Sequence, residues 1–162
     1  MTLKFLRNKV IEVTPRPEGD FVVSWRLTDD LFKVEVQLIV APPDLEITEA
    51  DAVFERYVPA SWRDAAEKIK KIEGVSIGSG LRKITAGLLG GEQGCPMLVD
   101  AVLECCNAVI LYFTRPNIEL GESITDPDQK TAALREMIQS NPRLVRSCIS
   151  FQDDSPIMKE LQ

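Results

Sequence analysis

The chain contains no histidine. That removes the side chain whose ordinary charge change falls nearest neutral pH. A Ser-His-Asp triad, a Cys-His dyad and histidine-ligated zinc or haem sites are therefore excluded within this chain. Proton transfer would fall to a shifted carboxyl, Cys, Lys or Tyr. Basic runs are also lacking. No block of five or more Lys or Arg interrupts a sequence with 19 basic residues, 25 acidic residues and a net charge of −6. Non-specific attraction to a phosphate backbone needs clustered cations, so no nucleic-acid partner is expected. Met1 to Val10 carries Lys4, Arg7 and Lys9 and has no continuous apolar stretch of the kind a signal peptide needs. Cysteine is scarce as well. The four present are not spaced Cys-x-x-Cys and two are adjacent, which predicts reduced thiols in a cytoplasmic setting. A length of 162 residues suits a single domain, 1–162, that buries its core without metals or disulphides.

The first 58 residues read as strands. Val10 to Val13 starts a β-rich portion, and Pro15 to Asp20 supplies turn residues. Phe21, Val23, Trp25 and Leu27 then alternate with polar or smaller neighbours. Phe32, Val34, Val36, Leu38 and Val40 alternate with Lys33, Glu35, Gln37 and Ile39, which is the strongest strand signal in the chain. Ala41-Pro-Pro-Asp44 interrupts, and a weaker strand follows from Leu45 towards Tyr57. Short connections predict an antiparallel meander over about 5–58.

At Ser61 the period changes to that of a helix. Ser61 is expected to cap it, and Trp62, Ala65, Ala66, Ile69 and Ile72 form an apolar face that stops at Gly74. A short helix ending at Gly90-Gly91 comes next. Pro96, with no N–H to leave unpaired and a preset φ, then opens a long apolar helix to Phe113, with Cys95 near its N-cap. Asp100, Glu104 and Asn107 share one stripe of that helix, and the remaining circumference is apolar. Two carboxylates inside a membrane span would cost roughly 2.5–3.5 kcal/mol each, against about 0.3–0.6 returned per good apolar residue. The sum is near zero, so a core helix is expected rather than a membrane partner. Thr114 to Pro127 reads as a long loop, Asp126-Pro127 to about Gln139 as a helix, and about 144–151 as a last strand.

Several positions invite a chemical reading. A thiol at a helix N-terminus faces unpaired N–H groups and the positive end of the helix dipole. Cys95 is thus a candidate nucleophile or metal-ligand thiolate, or else a small buried residue at a tight Gly94-Cys95-Pro96 junction. Cys105 and Cys106 follow about 15–16 Å along the same helix, too far to share a metal ion with Cys95. They read as core, and only Cys148 could be folded back towards Cys95. Gly78 and Gly80, before Arg82 and Lys83, could cradle a phosphate through backbone N–H groups or form a plain turn. Asp100 and Glu104 are either an interacting carboxyl pair or a stripe facing solvent and basic partners.

Glu18 to Asp29, Gly74 to Lys83, Leu88 to Leu98 and Arg146 to Ile149 together resemble a bacterial family of uncharacterised proteins, a domain of unknown function. The resemblance spans roughly residues 10–152. Its most specific piece is Gly-Gly-x-x-Gly-Cys-x-x-Leu, where the family reads Gly-Cys-Thr-His-Leu and this chain has Met97 in the histidine's place. The family's cysteine after the β portion is replaced by Pro59-Ala60-Ser61. Cys95-Pro-Met-Leu-Val-Asp-Ala101 is also similar to a run in the iron–sulphur cluster assembly scaffolds of the IscU and NifU type, which set a three-stranded antiparallel sheet before helices. Those scaffolds use upstream cysteines that this chain lacks, so the resemblance implies the architecture and not the metal chemistry.

The expectation is an α+β fold: an antiparallel sheet of three or four strands, packed on one face by helices, with the Pro96–Phe113 helix as the central packing element. Non-enzymatic binding or accessory work is expected, with a second copy of the chain or another protein as partner. No cofactor or metal is expected. The alternatives are a thiol-dependent enzyme or carrier centred on Cys95, and a small-molecule or acyl-chain binder with a cavity between sheet and helices. Candidate binding residues are Gly78, Gly80, Gly94, Cys95 and Cys148, with Cys95 the candidate catalytic residue.

Overall fold

Alternation in the second and third runs sets the sheet. The structure, a computed structural model, describes residues 4–140, 145, 146 and 149–160. Strands β1 (Arg7–Pro15), β2 (Phe21–Asp29), β3 (Phe32–Ala41) and β4 (Glu46–Arg56) form an antiparallel meander in that order. The fold is α+β. Phe21, Val23, Trp25 and Leu27 of β2 point inward with Val34, Val36, Leu38 and Val40 of β3. The outer face keeps cross-strand ion pairs such as Lys33–Glu55, whose residues lie directly opposite in register. A bulge at Thr48 shifts β4 so that Ile39 pairs with Glu49 and Val40 with Ile47. β1 is longer than the Val10–Val13 run suggested. It extends back to Arg7 although polar residues occupy its inner face.

Asp29 ends β2 and organises the hairpin to β3. Its Oδ1 accepts the N–H groups of Leu31 at 2.8 Å and Phe32 at 2.6 Å, and its Oδ2 accepts Arg7 Nε at 2.8 Å. Arg56 reaches the Asp29 carbonyl oxygen from β4. Burial pushes the carboxyl pKa up, but the two backbone N–H groups and Arg7 outweigh it and hold Asp29 below its ordinary value. A depressed carboxyl contributes stability that is fully present above its unfolded value and is lost as pH falls through the folded value. Asp29→Ala should therefore cost about 1–3 kcal/mol near neutral pH, because it removes the shared acceptor of two part-buried backbone N–H groups and of Arg7. The deficit should shrink as the wild-type carboxyl is protonated in acid, and urea unfolding at several pH values measures both effects.

Helical cover follows. α1 (Ala60–Ala66) tightens into a 3-10 helix at Glu67–Ile72, and α2 (Leu81–Leu89) and α3 (Pro96–Ser123) come next. Ser61 does not cap α1. The chain enters through Pro59, whose carbonyl takes the Trp62 N–H at 3.0 Å. Trp62 stacks on Phe32 with centroids 5.3 Å apart and meets Phe54 edge-on at 5.9 Å, which fixes α1 to the open end of β3 and β4. After Ile72 the backbone pairs with the start of β4, Ile47 N–H to Val75 O at 2.9 Å and Ile77 N–H to Leu45 O at 3.0 Å.

Leu98, Ala101, Val102, Cys105, Cys106 and Val109 of α3 join the core with the inward residues of the strands. Phe21 and Tyr112 meet edge-to-face at 5.3 Å. The helix is not enclosed all round, however: Ile110, Leu111 and Phe113 are about half exposed. By length and composition alone α3 could also cross a membrane.

The chain groups into two compact units, Met1–Tyr112 and Phe113–Gln162. The second holds the end of α3, then α4 (Pro127–Ser140), a 3-10 turn at Ile149–Phe151 and α5 (Pro156–Glu160). The loop expected from Thr114 is largely helix, because α3 runs on through Pro116 to Ser123. That proline removes one backbone bond, while the Arg115–Glu119 pair, one turn apart, supports the segment. Asp126 caps α4 by accepting the N–H groups of Asp128 and Gln129. Of the last strand expected at 144–151, the described Ile149–Phe151 is a 3-10 turn, and 144, 147 and 148 lie outside the described residues. Ser155 caps α5 through the Met158 N–H.

Candidate functional site

The helical layer covers the inner face of β1 only in part: Lys9 meets Glu104 of α3 and Val13 packs on the core. Arg7, Lys9 and Ile11 stand in register with Asp29, Leu27 and Trp25, yet opposite them the helical layer leaves a cavity of about 600 Å³. Arg7 and Lys9 of β1 and Trp25 and Leu27 of β2 make its sheet-side wall. Ser61, Trp62 and Ala65 of α1, with Lys68 after them, make another. The turn Glu92-Gln93-Gly94 and the start of α3, from Cys95 to Met97 with Asp100, complete it.

That turn is held by backbone contact. The Cys95 N–H donates to the Leu89 carbonyl at 2.7 Å, and the Gly94 N–H to Gly91 O at 3.1 Å. Gly94 must be glycine, since a Cβ there would sit 2.2 Å from the carbonyl oxygens of both Leu89 and Gly90. The Cys95 carbonyl takes the N–H groups of Leu98 at 3.0 Å and Val99 at 3.3 Å, so Cys95 is the N-cap of α3. Lys68 Nζ donates to the Gln93 carbonyl and ties the turn to the 3-10 helix that follows α1.

Lys9 and Glu104 close the sheet side. Lys9 Nζ donates to Glu104 Oε1 at 2.7 Å and lies 5.7 Å from the centroid of the Trp25 ring, while Trp25 Nε1 donates to Glu104 Oε2. Burial raises the Glu104 pKa, but the bonds from Lys9 and Trp25 outweigh it and leave it below the ordinary value. Glu104 is therefore the paired member of the acidic stripe. Asp100, one turn earlier, is exposed on the cavity wall.

Gly94 and Cys95 are thus brought together at the cavity, and Cys95 is 6% exposed. Gly78 and Gly80 are elsewhere, at the start of α2, where Gly80 takes φ 83° at the N-cap and a Cβ on Gly78 would meet nothing within 4 Å. Cys148 lies outside the described residues. Cys105 and Cys106 are core thiols. Burial pushes Cys106 up to about 12, and burial, with Cys106 and Glu104 nearby, raises Cys105 further. Among the described residues no group of three or more Cys, Asp and Glu side chains is placed to hold a metal ion. Sequence reasoning missed Arg7, Lys9, Trp25, Trp62 and Lys68 as wall residues. The one available signal was the pair of cations at alternate inward positions of β1. No family model matches this chain, and no curated protein or solved structure is significantly similar to it.

Proposed function

We propose that this chain is a non-enzymatic binding protein that takes a small molecule into the cavity between β1–β2 and the helical layer. The cavity itself carries this reading. Its volume of about 600 Å³ lies within the range of small-molecule sites, and its wall sets indole and aliphatic surface beside five charged side chains. Both tryptophans of the chain are in that wall, so intrinsic fluorescence reports occupancy. Phenylnaphthylamine, a neutral fluorescent probe, should quench the tryptophan emission and saturate at one site per chain. A ligand at a hundred times its Kd should raise stability by about 2.7 kcal/mol, measurable as a shift in Tm. Absence of saturable quenching sinks the reading.

A thiol-dependent activity is the second reading, because Cys95 lies in the same wall. Its burial favours a structural role. Iodoacetamide at neutral pH should modify Cys95 at least about tenfold more slowly than a free thiol, followed by mass spectrometry. Cys95→Ser should keep probe binding. Rapid, selective alkylation of Cys95 would favour thiol chemistry over simple binding.

A further inference from the structure

We propose that the cavity's ligand is an amphipathic organic oxyanion, with a carboxylate, sulfonate or phosphate head held by Lys68, Lys9 and Arg7 and an apolar body against Trp62. This deepens the binding reading and rests on it. The argument is one of unspent donors. A lysine ammonium offers three N–H donors and an arginine five. Lys9 gives one to Glu104, and Lys68 gives one to the Gln93 carbonyl. Arg7 places its Nε and Nη2 on Asp29.

The wall's own acceptors do not take up the remainder. Glu92 and Asp100 both line the cavity, yet neither forms an ion pair with any of the three cations. Asp29 and Glu104 already balance Arg7 and Lys9, so among the three wall cations Lys68, bonded to a carbonyl oxygen, is the one with no carboxylate partner. The cations also approach from two sides, Arg7 and Lys9 from the sheet and Lys68 from the helical layer, so an oxyanion between them gains charge-assisted bonds from both. Fixed acceptors behind Arg7, Lys9 and Lys68 position their heads before a ligand arrives, which lowers the ordering cost of binding. Trp62 is already locked against Phe32 and Phe54, and it offers a preformed apolar surface for the rest of the ligand.

The test compares two probes of nearly the same shape on the full chain, anilinonaphthalene sulfonate and neutral phenylnaphthylamine, both followed by tryptophan quenching. The sulfonate should bind at one site roughly tenfold more tightly than the neutral probe and compete with it, as expected of a hydrogen-bonded charge. Lys68→Gln should weaken the sulfonate by about fivefold or more and leave the neutral probe within about twofold. Added salt should weaken the sulfonate alone. If Lys68→Gln does not fold, the salt dependence of the wild-type chain decides. Equal affinity for the two probes, or sulfonate binding indifferent to Lys68 and to salt, overturns the oxyanion class while the cavity reading stands on the neutral probe. Failure of both probes to bind removes the cavity reading and this proposal together.

Discussion

Gly94→Ala should unfold the turn that builds the cavity, at a cost above the roughly 0.5–3 kcal/mol of an ordinary point substitution. The added Cβ would lie 2.2 Å from two carbonyl oxygens, those of Leu89 and Gly90, and neither is the end of a flexible side chain. Something in the backbone has to move. The Leu89 carbonyl already holds the Cys95 N–H, and Cys95 in turn caps α3, so relief at Gly94 shifts the start of the helix whose Leu98 and Ala101 are fully buried. A second glycine calibrates the effect. Gly78 has an unstrained φ and open space at its Cβ position, so Gly78→Ala should change stability by no more than about 1 kcal/mol. Urea unfolding of both variants measures the contrast, and phenylnaphthylamine titration of Gly94→Ala should show binding lost with the turn. Equal stability of the two alanine variants would mean that the close approach at Gly94 does not exist.

The contrast between these two glycines bears on what a sequence can disclose. Gly78 and Gly94 look alike in the chain, each in a glycine-rich stretch before a helix, and only packing separates them. β2 and β3 were readable because burial alternates along each strand, so Phe21, Val23, Trp25 and Leu27 carry the period themselves. β1 was half hidden for the opposite reason: its inner face lines a cavity, and Arg7 and Lys9 stand where apolar residues would have marked the strand. The start of α3 was readable from Pro96, whereas its continuation past Pro116 was not, since Pro, Asn, Gly and Ser imitate a loop. The cavity was legible only as a general possibility. Its walls join residues as far apart as Lys9 and the Cys95 turn, and the Lys9–Glu104 bond beside it links positions 95 residues apart, which no local spacing encodes.

The sheet and the long helix meet at Trp25, and Trp25→Ala should remove about 3–5 kcal/mol, the range for truncating a large buried aromatic. Trp25 sits in the middle of β2, opposite Ile11 on β1 and Val36 on β3, and it is 1% exposed. Its indole is held from three directions. Inward core residues surround the ring, the Lys9 ammonium lies over it, and its N–H is the donor that ties β2 to Glu104 of α3. Two further variants divide the loss between packing and the polar tie. Trp25→Phe keeps most of the apolar contact but leaves Glu104 Oε2 without its donor, so it should cost about 1–2 kcal/mol. Glu104→Ala, combined with Trp25→Phe in a double-mutant cycle, should reveal a coupling of about 0.5–3 kcal/mol, because the side chains touch directly. Additive losses would show that the indole N–H contributes nothing to seating the helix. A Trp25→Ala variant as stable as the wild type would be the more serious result, for it would mean that α3 is not laid on β2 and that the cavity beside it has no floor.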